Sequence, residues 1–102
     1  MAFSIIWTEK ARADRKEIFT YWNNRNKSTL YSKKLNGLFN SSIEHLQNFP
    51  LIGKASRYKN IRYLIVRDYL MFYTIDMSHI TIIRIWDGRQ DPDKLSSLLG
   101  GV

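Results

Sequence analysis

Three β-rich segments follow one another with almost nothing between them: residues 61–66, 69–75 and 80–86. They are dense in Ile, Tyr, Val, Phe and Thr, the residues that suit a pleated, half-buried surface. Arg67-Asp68 joins the first pair and Asp76-Met77-Ser78 the second, connections short enough to require tight hairpin turns. Consecutive strands joined in this way lie side by side, so the spacing predicts an antiparallel meander. A lone meander exposes both of its faces, and the rest of the chain must supply a cover.

That cover is visible upstream. Ala2 to Trp7 is short, apolar and partly β-branched, and reads as a first strand. Thr8 then suits a helix N-cap, with Glu9 in the first turn where a carboxylate complements the helix dipole. The helix is expected to run to about Asn23, with Ala11, Ile18, Tyr21 and Trp22 as an imperfect apolar stripe, and to break in the polar run Asn23-Asn24-Arg25-Asn26. The second helix has the clearest periodicity. Tyr31, Leu35, Leu38, Phe39, Ser42, Ile43 and Leu46 recur at helical spacing, with Lys33, Lys34, Asn40, Glu44 and Gln47 on the opposite side. Pro50 stops it, because the residue before a proline is pushed out of helical geometry. The predicted fold is α+β in the order β-α-α-β-β-β. Two N-terminal helices cover one face of a small antiparallel sheet, the other face stays partly open, and a short C-terminal helix around Leu95, Leu98 and Leu99 follows Asp91-Pro92.

At 102 residues the chain is read as a single domain, 1–102, near the lower end of what supports one core. No segment approaches the apolar length needed to span a bilayer, and the apolar run at the N-terminus is too short for a signal peptide. The absence of cysteine removes disulfides and thiolate metal sites and makes a reducing cytoplasm the expected compartment, with no membrane association. The net charge of +7 is unevenly spread. Residues 1–60 hold eleven Lys and Arg against four Asp and Glu, whereas residues 61–102 hold five of each. An excess of this kind draws polyanions or an acidic protein partner.

The element order resembles the RelE/ParE toxin superfamily, and specific residues carry the likeness. Ala11, Asp14, Ile18 and Tyr21 fall at the spacing of that family's first helix, although Arg15 stands where an apolar residue is usual. Leu46, Pro50 and Gly53 resemble the close of its second helix. Ile61-Arg62, Asp68-Tyr69, Phe72-Tyr73 and the run Ile82 to Pro92 resemble its strands and basic turn. The resemblance implies a type II toxin silenced by a co-encoded acidic antitoxin, held in a toxin–antitoxin hetero-oligomer and connected with plasmid stabilization. It also implies one of two actions: ribosome-dependent mRNA cleavage by a metal-independent endoribonuclease (an mRNA interferase), which the sheet arginines and the basic loop make the leading expectation, or, as the alternative, poisoning of DNA gyrase without catalysis.

RNA can be cut without metal or cofactor, because its own 2′-OH is the nucleophile. The protein must deprotonate that hydroxyl, neutralise charge growing on the phosphate and protonate the leaving oxygen. Arg62 and Arg89 suit the middle task, since a guanidinium grips phosphate oxygens bidentately and stays charged. Asp87 is the candidate base, weakened by Arg89 beside it. Lys54, Arg57, Lys59, Arg67 and Tyr69 are the candidates for holding RNA, the cations on its backbone and the tyrosine on a base. Arg84, between Ile83 and Ile85, reads as a paired sheet residue. RNA-cleaving members commonly carry an Arg after the tyrosine that opens the third strand, where this chain has Leu70, and Trp86-Asp87 and Leu95 stand near the places where some carry His or Tyr. The expectation common to these assignments is a bare sheet side that presents arginines to an anion.

Overall fold

The computed structural model describes residues 2–90. The predicted C-terminal helix lies outside them. In chain order the elements are β1 (Ser4–Trp7), α1 (Glu9–Asn26), α2 (Leu30–Asn48), β2 (Lys54–Ala55), β3 (Arg62–Val66), β4 (Tyr69–Ile75) and β5 (His79–Asp87). They form an α+β fold in which the two helices sit against one five-stranded sheet of order β1-β5-β4-β3-β2.

Local chemistry starts α1 where the sequence places it. The Thr8 hydroxyl accepts from the Ala11 N–H at 3.0 Å and donates to the Ile83 carbonyl at 3.0 Å, so one side chain caps the helix and ties it to β5. The helix outlasts its expected end at Asn23 by three residues, since it closes at Asn26. Lys27 then takes a left-handed conformation (φ 53°) and returns its N–H to the Asn23 carbonyl. The polar run survives as helix because it faces solvent and because the Ser32 hydroxyl of α2 donates to the Asn23 side chain at 2.6 Å. The stripe of α2 is buried as its spacing implies: Leu35, Phe39, Ile43 and Leu46 all enter the core.

The meander is antiparallel through β3, β4 and β5, but the sheet as a whole is mixed. β1 runs parallel to β5, pairing Ser4 with His79 and Trp7 with Ile82. The helical hairpin explains the direction. α1 passes Ile85 and then Tyr69 as it leaves β1, and α2 returns the chain to Phe3, whose N–H donates to the Gln47 carbonyl at 3.1 Å. β3 therefore starts from the same end as β1, and two reversals later β5 points the same way. The basic loop also contains a short strand that periodicity does not reveal, with Lys54 and Ala55 pairing with Tyr63 and Arg62.

The core lies between helices and sheet, with Ala11, Leu35, Phe39, Leu46, Met71, Tyr73, Ile80 and Ile82 at its centre. A bulge in the β4–β5 pairing falls between Phe72 and Tyr73. It breaks strict alternation in β5, so Ile82 and Ile85 both join the helix-side core while Trp86 joins the opposite face. Arg84 consequently does not share a face with both Ile82 and Trp86.

Candidate functional site

Two polar regions lie at opposite ends of the sheet. At the end where β4 begins and β5 finishes, Tyr69 pairs with Asp87, and the Trp22 indole N–H donates to the Tyr69 hydroxyl at 2.7 Å. Burial raises the Tyr69 phenol above its ordinary range, against the opposing pull of the Trp22 hydrogen bond. Arg89 folds back on Asp87 through two side-chain contacts of 3.0 and 2.9 Å, and its guanidinium lies 6.0 Å from the Trp22 ring centroid. Glu17, Ile18, Tyr21 and Gln90 join Tyr69, Asp87 and Arg89 in lining a hollow of about 440 Å³. Arg67 sits nearby at the β3–β4 turn, exposed and with a left-handed backbone (φ 58°).

The other region lies where β3 begins. Arg62 pairs with Tyr73, and its guanidinium donates to the Gly53 carbonyl at 2.8 Å. The Tyr73 hydroxyl accepts from the Gly53 N–H at 3.0 Å and donates to the Pro50 carbonyl at 2.8 Å, fastening the basic loop to the core. A side chain at Gly53 would overlap the Tyr73 hydroxyl and the Tyr63 carbonyl, so only glycine fits this approach. Ala55, Ser56, Tyr58, Lys59 and Arg62 line a cleft of about 330 Å³. Lys54, Arg57 and Lys59 are exposed around it, and the Arg57 guanidinium lies 5.8 Å from the Tyr58 ring centroid.

Arg62 and Arg89 do not share a hollow. Tyr73 stands opposite one and Tyr69 is paired with the Asp87 that holds the other, so roughly 13 Å of β4 separates the two levels. Asp87, the candidate base, accepts two guanidinium contacts from Arg89 and also its backbone N–H at 2.9 Å. Those contacts, the Arg89 side chain foremost, hold its carboxyl below the usual range, which makes it a poor proton acceptor. Arg84 is the paired residue expected of it, although the partner is on a helix: its guanidinium grips Asp14 bidentately at 2.8 and 2.9 Å.

The side of the sheet away from the helices also differs from the expectation. It carries a second apolar cluster in which Ile61, Phe72 and Trp86 are buried and Tyr58, Tyr63, Leu70 and Ile83 are half-buried against them. Ile65 stands on this side as well, 55% exposed. The reason is register: Arg62 lies opposite Tyr73 and so shares the helix-side face, while Tyr63 and Phe72 alternate to the opposite one.

A further concentration of charge lies between the helices. Arg12, Arg15 and Lys16 of α1 and Lys33 of α2 line a groove of about 540 Å³ with Phe19, Thr20, Ser32 and Asn36. In the sequence these cations are visible only as basic residues three and four apart, a spacing that equally fits a solvated helix face. Among the described residues no helix is long and apolar enough to cross a membrane, and no three His, Asp or Glu side chains converge as metal ligands would.

Comparison with known proteins agrees with this architecture. Residues 5–92 match the family described as the ParE toxin of type II toxin–antitoxin system, parDE. The chain is similar in structure to the chromosomal ParDE system from P. aeruginosa, with a TM-score of 0.71, 22% identity, and 82% of this chain and 94% of that one covered. It is more distantly similar to the E. coli DinJ–YafQ toxin–antitoxin complex, with a TM-score of 0.54, 11% identity, and 85% and 93% covered. Among curated proteins none matches. With the family match spanning most of its length, this chain belongs to the ParE toxins of type II toxin–antitoxin systems.

Proposed function

We propose that this toxin arrests growth in the cytoplasm by gripping a protein target, DNA gyrase, without cleaving a bond, and that an acidic antitoxin neutralises it. The observation that carries the reading is the separation of Arg62 from Arg89. A metal-free RNA cut needs its charge-neutralising cation and its proton carriers around one phosphate. Here the candidate cations belong to opposite ends of the sheet, and Asp87 is held by Arg89. The sheet side away from the helices carries half-buried Tyr58, Tyr63, Leu70 and Ile83, with exposed Ile65 beside them, an apolar face suited to a protein partner.

Ribosome-dependent mRNA cleavage is the second reading, and one feature favours it. Lys54, Arg57 and Lys59 surround the cleft that Arg62 lines, a cationic rim suited to an RNA backbone. In that reading Arg62 would meet the phosphate, Arg67 and Tyr69 would hold neighbouring nucleotides, and Arg89 and Asp87 would act from beyond the end of β5.

The two readings separate in paired assays with the purified chain. Gyrase supercoiling should be inhibited while ribosome-bound mRNA stays intact by primer extension. Intact supercoiling together with new mRNA ends that vanish in Arg62→Ala would reverse the assignment. A toxin inert in both assays would defeat both readings.

A further inference from the structure

The groove between α1 and α2 has a charge pattern that neither reading uses. Arg12, Arg15 and Lys16 stand three and four residues apart, so they share one side of α1, and Lys33 faces them from α2. Among the described residues, no carboxylate lines the groove. Of the three acids of α1, Asp14 is buried against Arg84 on β5, Glu17 lines the hollow at the Asp87 end, and Glu9 stands exposed in the first turn, one turn before Arg12 and outside the groove lining. Among the described residues, none of the ion pairs includes a groove cation. Arg15 is steadied by the Trp7 ring, whose centroid lies 4.3 Å from its guanidinium, while Arg12, Lys16 and Lys33 are exposed.

We infer that this groove binds the phosphate backbone of duplex DNA. Four cations with no acid among them give the charge complementarity that phosphates need. Thr20 and Asn36 add the hydroxyl and amide groups that commonly accompany Lys and Arg at a DNA backbone. An acidic amphipathic peptide would need a row of apolar seats, and the groove offers only Phe19, half-buried and packed towards Phe39 at a ring separation of 6.1 Å. Single-stranded nucleic acid calls for exposed aromatic platforms on which bases stack, whereas the one ring among the described residues that lines the groove, Phe19, is half-buried against Phe39. Backbone contact without stacking is the recognition suited to a duplex. The site stands apart from the gyrase reading, since neither the sheet side nor the Arg62 cleft takes part in it.

Fluorescence anisotropy of a short labelled duplex with the full chain tests the inference. Four phosphate contacts give a slope near −3.6 for log affinity against log salt, about a 100-fold loss between roughly 50 and 200 mM. Arg12→Glu/Lys16→Glu/Lys33→Glu should abolish binding. Lys54→Glu/Arg57→Glu/Lys59→Glu, with the same change in net charge, should leave most of it. The triple alanine variant at Arg12, Lys16 and Lys33 carries the same expectation with less perturbation of the fold, and circular dichroism verifies that fold. Equal losses in the two glutamate variants would reduce the effect to net charge and overturn the site. No duplex binding near 50 mM salt, or tighter groove-dependent binding of single-stranded RNA or of an acidic peptide, would overturn it too.

Discussion

Asp14 and Arg84 meet as a bidentate pair that bolts α1 to the strand at the centre of its packing surface. The carboxylate accepts Nε at 2.8 Å and the terminal guanidinium nitrogen at 2.9 Å, and it also accepts the Ile85 backbone N–H at 2.9 Å. Both side chains are largely buried, so each satisfies a group that water does not reach. Asp14→Ala should cost about 3 kcal/mol, because it leaves a buried cation and a backbone donor without partners. Asp14→Leu/Arg84→Met should recover much of that loss by removing both charges together. Urea unfolding measures both, and a loss under about 1 kcal/mol for Asp14→Ala would show that the pair adds little.

A second fastening holds the basic loop. Tyr73→Phe removes the hydroxyl that serves both Gly53 and Pro50, at an expected cost of about 1–2 kcal/mol. Gly53→Ala should cost more, since the added methyl overlaps both the Tyr73 hydroxyl and the Tyr63 carbonyl. Thermal melts rank the two variants, and equal midpoints for Gly53→Ala and the parent would refute the packing argument.

Acid should release the Asp87–Arg89 contact. The Arg89 side chain holds the Asp87 carboxyl below its unfolded value, so the folded state binds its proton less readily. The resulting stabilisation is fully present above the ordinary carboxylate value of about 4 and is lost as pH falls through the lowered folded value. Because Arg89 is 51% exposed, the contribution is small, about 0.5 kcal/mol. Asp87→Asn should therefore be slightly less stable than the parent at neutral pH, with the gap closing on acidification. A gap that widened towards acid would contradict the sign of the shift.

Leu70→Arg places an arginine where RNA-cleaving relatives commonly have one. Leu70 lies opposite Trp86 and Ile65, on the sheet side away from the helices. Arg62 lies opposite Tyr73 and belongs to the helix-side face. The new guanidinium would therefore not join Arg62, and the variant should fold and remain without mRNA cleavage. Primer extension on ribosomes carrying the variant checks this, and new cleavage products would show that one added cation is enough.

Sheet-side surface should tolerate a charge without loss of fold. Ile65→Lys replaces a half-exposed side chain at the edge of the aromatic surface, so the melting temperature should move by no more than a few degrees. Growth arrest should weaken if that surface carries the target. An unchanged arrest by a fully folded Ile65→Lys variant would direct attention to the Arg62 cleft.

Much of the fold is legible in the chain because helix and strand periodicity is local. The stripe from Leu35 to Leu46, the Thr8 cap, the stop at Pro50 and the hairpin at Arg67-Asp68 depend on neighbours within a turn or two of the backbone. The same locality made Arg84 recognisable as a paired residue, though it could not name Asp14, 70 positions away, as the partner. The short strand at Lys54–Ala55 has no periodicity of its own and exists only because β3 offers it an edge.

The sequence by itself determined the element order, the apolar faces, the excess of positive charge and the resemblance to RelE/ParE toxins. Tertiary structure alone decided that β1 lies parallel to β5, that a bulge separates Ile82 from Trp86 in facing, and that Arg62 and Arg89 stand at opposite ends of one sheet. The physical reason is that spacing along a chain sets which way a side chain leaves the backbone, whereas meeting another side chain depends on where the helical hairpin returns the chain. Register then decides which charges share a hollow and which are held apart.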